Sequence, residues 1–154
     1  MIFDFSDIFF NYEPQNMIWC IHMANFDSVE SAREFFYKDL FAVNTGITLD
    51  ELTEDEAVCS LVLNDTHRNA YGGVMGGVIF TLADFAFAVL SNQIHQLTVA
   101  QQVSINYLSA PKGDKLIAHA TCRKSGRTSS IVIVNVEDDL GRDVAQFVGT
   151  GFKL

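Results

Sequence analysis

The stretch Gly76-Gly-Val-Ile-Phe-Thr-Leu-Ala-Asp-Phe-Ala-Phe-Ala-Val-Leu90 decides how the rest of the chain must be arranged. From Val78 to Leu90 it is apolar on nearly every face, so a helix built from it has to be buried on most sides. Its one charged residue is Asp84, and an isolated carboxylate in apolar surroundings is expensive unless it has a partner or a task. Gly72, Gly73, Gly76 and Gly77 lead into the helix. Glycines there let a ligand approach the backbone, and the first turn offers unpaired N–H groups backed by the positive end of the helix dipole. Such an end can polarise a carbonyl or hold an oxyanion; the plainer alternative is that the glycines only permit close packing of loop on sheet. Asp84 likewise reads either as a carboxylate with a raised pKa suited to general-base or nucleophilic work, or as a buried polar residue satisfied by its neighbours. Gly76 and Asp84 are eight residues apart, about 12 Å along a helix. One helix cannot place both on the same carbonyl, so a site using both takes the donor from one subunit and the carboxylate from its twofold mate.

Outward from the helix, the pattern changes to strands. Thr45 to Leu52 and Ala57 to Asn64 read as a hairpin over the acidic turn Thr53 to Glu56. Thr98 to Leu108, Lys115 to Lys124, Ser129 to Asp138 and Asp143 to Phe152 read as four more strands, with turns at Gly113-Asp114, Ser125-Gly126-Arg127 and Leu140-Gly141. Asp27 or Ser28, followed by Val29, Ala32, Phe35, Phe36 and Leu40, reads as a capped amphipathic helix and a natural opening element. The expectation is an α+β domain over residues 27–154, a curved antiparallel sheet wrapped round a long central helix. Residues 1–26 form an N-terminal extension of open status. They either pack as an extra aromatic segment or precede a native start at Met23, and fit neither a secretory signal nor a membrane span because Asp4, Asp7 and Glu13 interrupt the apolar run.

The chain of 154 residues leaves room for one domain and no separate cofactor-binding half. With 49% hydrophobic and 19% charged residues it buries a sizeable interior and is not a disordered chain or a coiled coil. The net charge of -9 argues against nonspecific binding to nucleic acid or anionic membrane. That charge is uneven: residues 1–56 hold 12 acids against Arg33 and Lys38, while residues 57–154 hold 7 acids and 8 bases. An anionic small ligand would be met by the second part, where Lys112, Lys115, Arg123, Lys124, Arg127, Arg142 and Lys153 lie. Cys20, Cys59 and Cys122 show no CxxC spacing and read as reduced thiols of a cytoplasmic protein. His22, His67, His95 and His119 show no local ligand pair, so no metal is expected. Dinucleotide, P-loop, zinc-protease and α/β-hydrolase motifs are absent.

The run from Gly76 to Ala88, with Asn69 before it and Val103-Ser-Ile-Asn-Tyr-Leu-Ser-Ala-Pro111 after it, resembles the hotdog-fold acyl-CoA thioesterases of the phenylacetate-degradation (PaaI) type. Gly126-Arg127-Thr128 and the ending Gly141-Arg-Asp-Val-Ala-Gln-Phe-Val-Gly-Thr-Gly151 carry the same resemblance, which covers residues 30 to 154. It implies a hotdog fold, paired subunits sharing a continuous sheet, and a homodimer or a dimer of dimers. It also implies that Asp84 activates water or attacks the thioester, that Gly76 supplies the backbone donor to the thioester carbonyl, and that the Asn69 amide helps orient the site. One departure stands out: the family carries His-Gly-Gly here, and this chain has Met75 before Gly76 and Gly77. A thioether cannot replace an imidazole donor, but the Gly76 N–H is unaffected.

The expected reaction is hydrolysis of an acyl-CoA thioester to free acid and CoA, with no cofactor beyond the CoA of the substrate. The thioester oxygen would sit on the Gly76 N–H, with Gly77 beside it, while Asp84 either deprotonates water or forms a mixed anhydride. Arg127 and then Lys124, with Thr128 beside them, are the candidates for the CoA phosphates, and Met75, Phe80 and Phe85 for an aryl or medium-chain acyl pocket. Two other readings compete. An acyl-CoA-binding sensor or carrier is favoured by Met75, and a hotdog dehydratase would need a catalytic histidine, for which only His67 precedes the helix nearby.

Overall fold

The computed structural model describes residues 25–154. Residues 1–24, with the alternative start at Met23 and Cys20, lie outside the described residues. Helix α1 spans Val29–Phe36 and opens on a capping box: the Ser31 N–H donates to Ser28 Oγ at 3.1 Å, and the Ser28 N–H donates to Ser31 Oγ at 3.2 Å. Ser28, not Asp27, is therefore the cap. The helix expected to run to Leu40 stops at Phe36, because Asp39 starts a second one: its side chain accepts from the Ala42 N–H at 3.3 Å and caps α2, Leu40–Thr45. Gly46, at φ 91°, ends α2 in the left-handed region, so strand β1 begins at Ile47 rather than Thr45.

Strands β1 (Ile47–Leu52) and β2 (Glu56–Val62) form the expected antiparallel hairpin. Then come the long helix α3 (Gly76–Ile94) and strands β3 (Thr98–Tyr107), β4 (Lys115–Ser125), β5 (Ser129–Asp138) and β6 (Asp143–Lys153). The six strands make one antiparallel sheet in the order β1-β2-β4-β5-β6-β3. The hairpins follow chain order, but β3 crosses to the far edge beside β6, which leaves β2 to pair with β4.

Helix α3 packs against this sheet. Leu116, Ala118 and Ala120 of β4, Val132, Val134 and Val136 of β5, and Val144 and Phe147 of β6 alternate inward and are fully buried against Leu82, Ala86, Phe87, Val89 and Leu90 of the helix. Burying each large apolar side chain contributes on the order of 1.5–3 kcal/mol. Close approach is bought by a glycine: a Cβ on Gly149 of β6 would lie 2.5 Å from Cδ2 of Phe87. By length and composition α3 could cross a bilayer; here the sheet covers most of it.

The ends of α3 are tied differently. At its C-terminus the Asn92 side chain donates to the Thr98 carbonyl and accepts from the Thr98 N–H, fixing the turn into β3. Asn25 Nδ2 donates to the carbonyls of Asn92 and Gln93, and the Gln93 side chain pairs with the backbone of Phe26. Residues 25 and 26, just before the boundary expected at 27, are thus already held against the domain. At the outer edge of the sheet, Arg33 covers β1 by donating to the carbonyls of Leu49 at 2.8 Å and Asp50 at 3.2 Å. The opposite edge strand, β3, is exposed over most of its length.

Candidate active site

Helix α3 is buried except along one stripe. Gly77, Phe80, Thr81, Asp84 and Ala88 are the residues left exposed or half-exposed beyond its first, and their spacing of three or four puts them on one face. Asp84 therefore does not sit in the core proper but on the open side of the helix, half-buried. Among the described residues nothing donates a hydrogen bond to its carboxylate, and it has no ion pair. Burial pushes its pKa above the ordinary aspartate range, and the negative charge of Asp39 adds to the effect.

Gly76 and Gly77 are the first two residues of the helix, which starts two residues earlier than the apolar run alone suggests. Met75 is the N-cap but offers no capping side chain. Its carbonyl accepts from the N–H groups of Val78 at 3.0 Å and Ile79 at 3.4 Å, while those of Gly76 and Gly77 have no acceptor among the described residues. Two free donors at a helix N-terminus form a ready anion or oxyanion site. The Met75 side chain is half-exposed and leans over this turn, its Cε 3.1 Å from where a Gly77 Cβ would be.

The approach to the helix is a small folded hairpin. Met75 N–H bonds to the His67 carbonyl, Arg68 bridges Val74, and Asn69 N–H bonds to the Gly73 carbonyl. The Asn69 Oδ1 accepts from the N–H groups of Tyr71 at 2.9 Å and Gly73 at 3.2 Å. In this chain it thus holds the glycine loop, and its Nδ2 is left to donate elsewhere. Gly72, at φ 79°, takes the left-handed conformation that closes the loop.

His67 is buried, and both its nitrogens are used: Nδ1 accepts from the Asn64 N–H at 3.1 Å and Nε2 lies 2.9 Å from the Thr45 carbonyl. An Nδ1 that accepts from a backbone N–H leaves Nε2 as the donor. The ring therefore pins the loop to the end of α2 and is not available as the base a dehydratase needs. His95, at the other end of α3, is buried with Nε2 2.7 Å from the Gly126 carbonyl. Cys59 is fully buried, and burial together with Asp50 pushes its thiol up, so it is no nucleophile.

Phe80 and Phe85 fall on different faces of α3. Phe80 meets Phe147 edge-on at 5.6 Å, and Phe85 meets Phe36 edge-on at 5.5 Å. Only Phe85 lines the cleft of about 200 Å³ between α1, α2, β1 and α3, whose other walls are Arg33, Phe36, Tyr37, Val43, Ile47, Thr48 and Leu49. Lys124, Arg127 and Thr128 are exposed around the β4–β5 turn, beside His95 and so past the C-terminal end of α3. Gly76 is at the other end, about 28 Å away along a 19-residue helix.

This arrangement of an antiparallel sheet packed on one long helix recurs in known proteins. A family model described as the thioesterase superfamily matches residues 71–145. A "Putative esterase" of Archaeoglobus fulgidus is 32% identical, the match covering 88% of this chain and 90% of that protein. The chain belongs to the thioesterase superfamily. Its fold is that of the Escherichia coli PaaI protein from the phenylacetic acid degradation operon, with a TM-score of 0.76 at 26% identity over 82% of this chain and 93% of that one; the fold is thus the α+β hotdog. A hypothetical thioesterase of Streptococcus pneumoniae, solved with coenzyme A, is 28% identical with a TM-score of 0.71, over 78% of this chain and 94% of that chain.

Two residues that matter to the site of this superfamily member had no role in the sequence reading. Asp39, the N-cap of α2, adds its negative charge to the surroundings of Asp84. Tyr107, on β3, donates to the Gly76 carbonyl at 3.0 Å. Neither is near its target in sequence, so local pattern carries no signal for them; Tyr107 lies inside the run from Val103 to Pro111, which carries the family resemblance only as a whole.

Proposed function

We propose that this protein is an acyl-CoA thioesterase that cleaves its substrate to a free acid and CoA. The observation that carries this reading is the pairing, on one helix, of two N–H groups at Gly76 and Gly77 with a half-buried carboxylate at Asp84, none of them partnered among the described residues. The first can hold the oxygen of a thioester carbonyl as it becomes an oxyanion. The second is a carboxylate whose pKa burial raises above the ordinary aspartate range, and such a poorly solvated group is suited to deprotonate water or to attack the carbonyl as a nucleophile.

Both groups lie on one continuous helix about 12 Å apart, so they serve one thioester only if two copies of the chain meet. The open stripe of α3 and the free edge of β3 lie ready for a second copy, whereas Arg33 blocks the β1 edge. A homodimer built across β3, alone or as half of a tetramer, gives two composite sites. Arg127, with Lys124 second, is the cation for the CoA phosphates. Since both lie past the far end of α3 from their own Gly76, they would serve a site whose Gly76 belongs to the other copy, while Asn69 holds the glycine loop in place. The relatives support the substrate class: the S. pneumoniae protein was solved with coenzyme A.

The test is thiol release from a panel of aryl- and aliphatic-CoA thioesters by wild type and Asp84→Asn. Wild type is expected to release CoA and the variant to lose at least about a hundredfold. Saturable binding without release would instead favour a non-catalytic acyl-CoA-binding protein, the reading supported by Met75, which covers the helix head where the family carries an imidazole.

A further inference from the structure

Tyr107 closes β3 directly over the head of α3. Its ring packs on Gly76 so closely that a Cβ there would be 3.3 Å from Cζ, and its hydroxyl donates to the Gly76 carbonyl oxygen at 3.0 Å. That carbonyl and the Gly77 N–H belong to one planar peptide group. A hydrogen bond into the oxygen fixes the plane, and with it the direction of the N–H. It also draws electron density from the nitrogen and makes the N–H a stronger donor, the cooperative effect known from chains of hydrogen bonds. The Gly77 N–H is one of the two donors left without an acceptor. Packing alone does not ask for a hydroxyl: the side chain is half-exposed and phenylalanine would fill the same space.

We propose that Tyr107 is a positioning residue for the oxyanion site: through the Gly76–Gly77 peptide it orients and polarises the Gly77 N–H toward the thioester oxygen. This rests on the thioesterase reading above. The effect reaches the site from a strand 31 residues away in sequence, so the geometry of the helix head depends on β3 being in register with β6. Tyr107 does not touch the substrate in this scheme; its influence belongs to the transition state, where the oxygen carries most charge.

Tyr107→Phe tests the proposal, since it removes the hydroxyl and keeps the ring. In the ligand-free protein the Gly77 amide 15N resonance should move from its wild-type position. In turnover kcat should fall about threefold to tenfold with KM within about twofold. The carbonyl stretch of a 13C-labelled acyl-CoA bound to Asp84→Asn should rise in frequency when Tyr107→Phe is added. Wild-type kcat and an unmoved carbonyl stretch would overturn the proposal while leaving the thioesterase reading intact. A fall in kcat matched by a fall in Tm, with the Gly77 resonance unmoved, would assign Tyr107 a merely structural role and also overturn it. If wild type itself releases no thiol, the thioesterase reading fails, and the Gly77 resonance with the bound carbonyl stretch still decides the part played by Tyr107.

Discussion

The composite site can be tested by giving each half of it to a different chain. Gly76→Pro removes one donor and keeps the start of the helix. Residue 76 is the first of α3, the position where proline is best tolerated, and Met75 before it, at φ -66° and ψ 130°, already has the extended backbone that a following proline demands. The added ring meets Tyr107, whose Cζ would be 3.3 Å from the new Cβ, so that side chain must give by a few tenths of an ångström. Asp84→Asn removes the carboxylate and keeps its size. Alone, each variant should lose about a hundredfold or more in kcat, the range for losing an oxyanion donor or a general base. Co-expressed with different affinity tags and purified through both, the two yield hybrid dimers. In a hybrid, the Gly76 of one chain meets the Asp84 of the other once, and the two lesions meet once. One of two sites is intact, so the hybrid should recover about half the wild-type activity per dimer. Thiol release from the best acyl-CoA substrate reads this directly. A hybrid no more active than its parents would refute the argument that one helix cannot supply both groups.

Gly149→Ala should destabilise the fold, because its Cβ would lie 2.5 Å from Phe87 and 3.0 Å from Phe147, two fully buried rings. Overpacking of this kind costs about 1–3 kcal/mol, or on the order of 2–12 °C in Tm for a chain of this size; thermal denaturation within a degree of wild type would contradict it. For pH, the folded pKa of Asp84 is raised, so the ionised form that catalysis needs is lost as pH falls through a value above the ordinary aspartate range. The acid limb of kcat should lie above about pH 4. By the same sign, ionised Asp84 costs folding stability, so Asp84→Asn should raise Tm at pH 7, with the gain fading as pH falls through that value. Asp138 has the opposite sign. The N–H of Lys112 at 2.8 Å, with those of Arg142, Gly113 and Leu140, holds its pKa at about 2. Its contribution to stability is complete above about pH 4, the unfolded value, and is lost as pH falls through 2. An Asp138→Asn variant whose Tm shows the wild-type loss over that window would dispose of this assignment.

Much of this protein was determined by its sequence. The apolar run from Val78 to Leu90 read as a buried helix, the glycines before it fitted either an open helix head or close packing of loop on sheet, and Asp84 stood out because charge is costly there. The hairpins were legible because turn residues and period-two alternation act between neighbours in the chain. The tertiary structure alone decided the rest. It carried β3 to the far edge, which set Tyr107 over Gly76 and left one edge of the sheet open. It split the first helix, because Asp39 found a backbone N–H to cap and took a place from which it acts on Asp84. It put Asp84 on the open stripe of α3 rather than in the core, and separated Phe80 from Phe85. The physical reason is one of range. Caps, turns and periodicity are settled by groups a few residues apart. Which strand lies beside which, and which face of a buried helix is left uncovered, is settled by packing the whole chain at once.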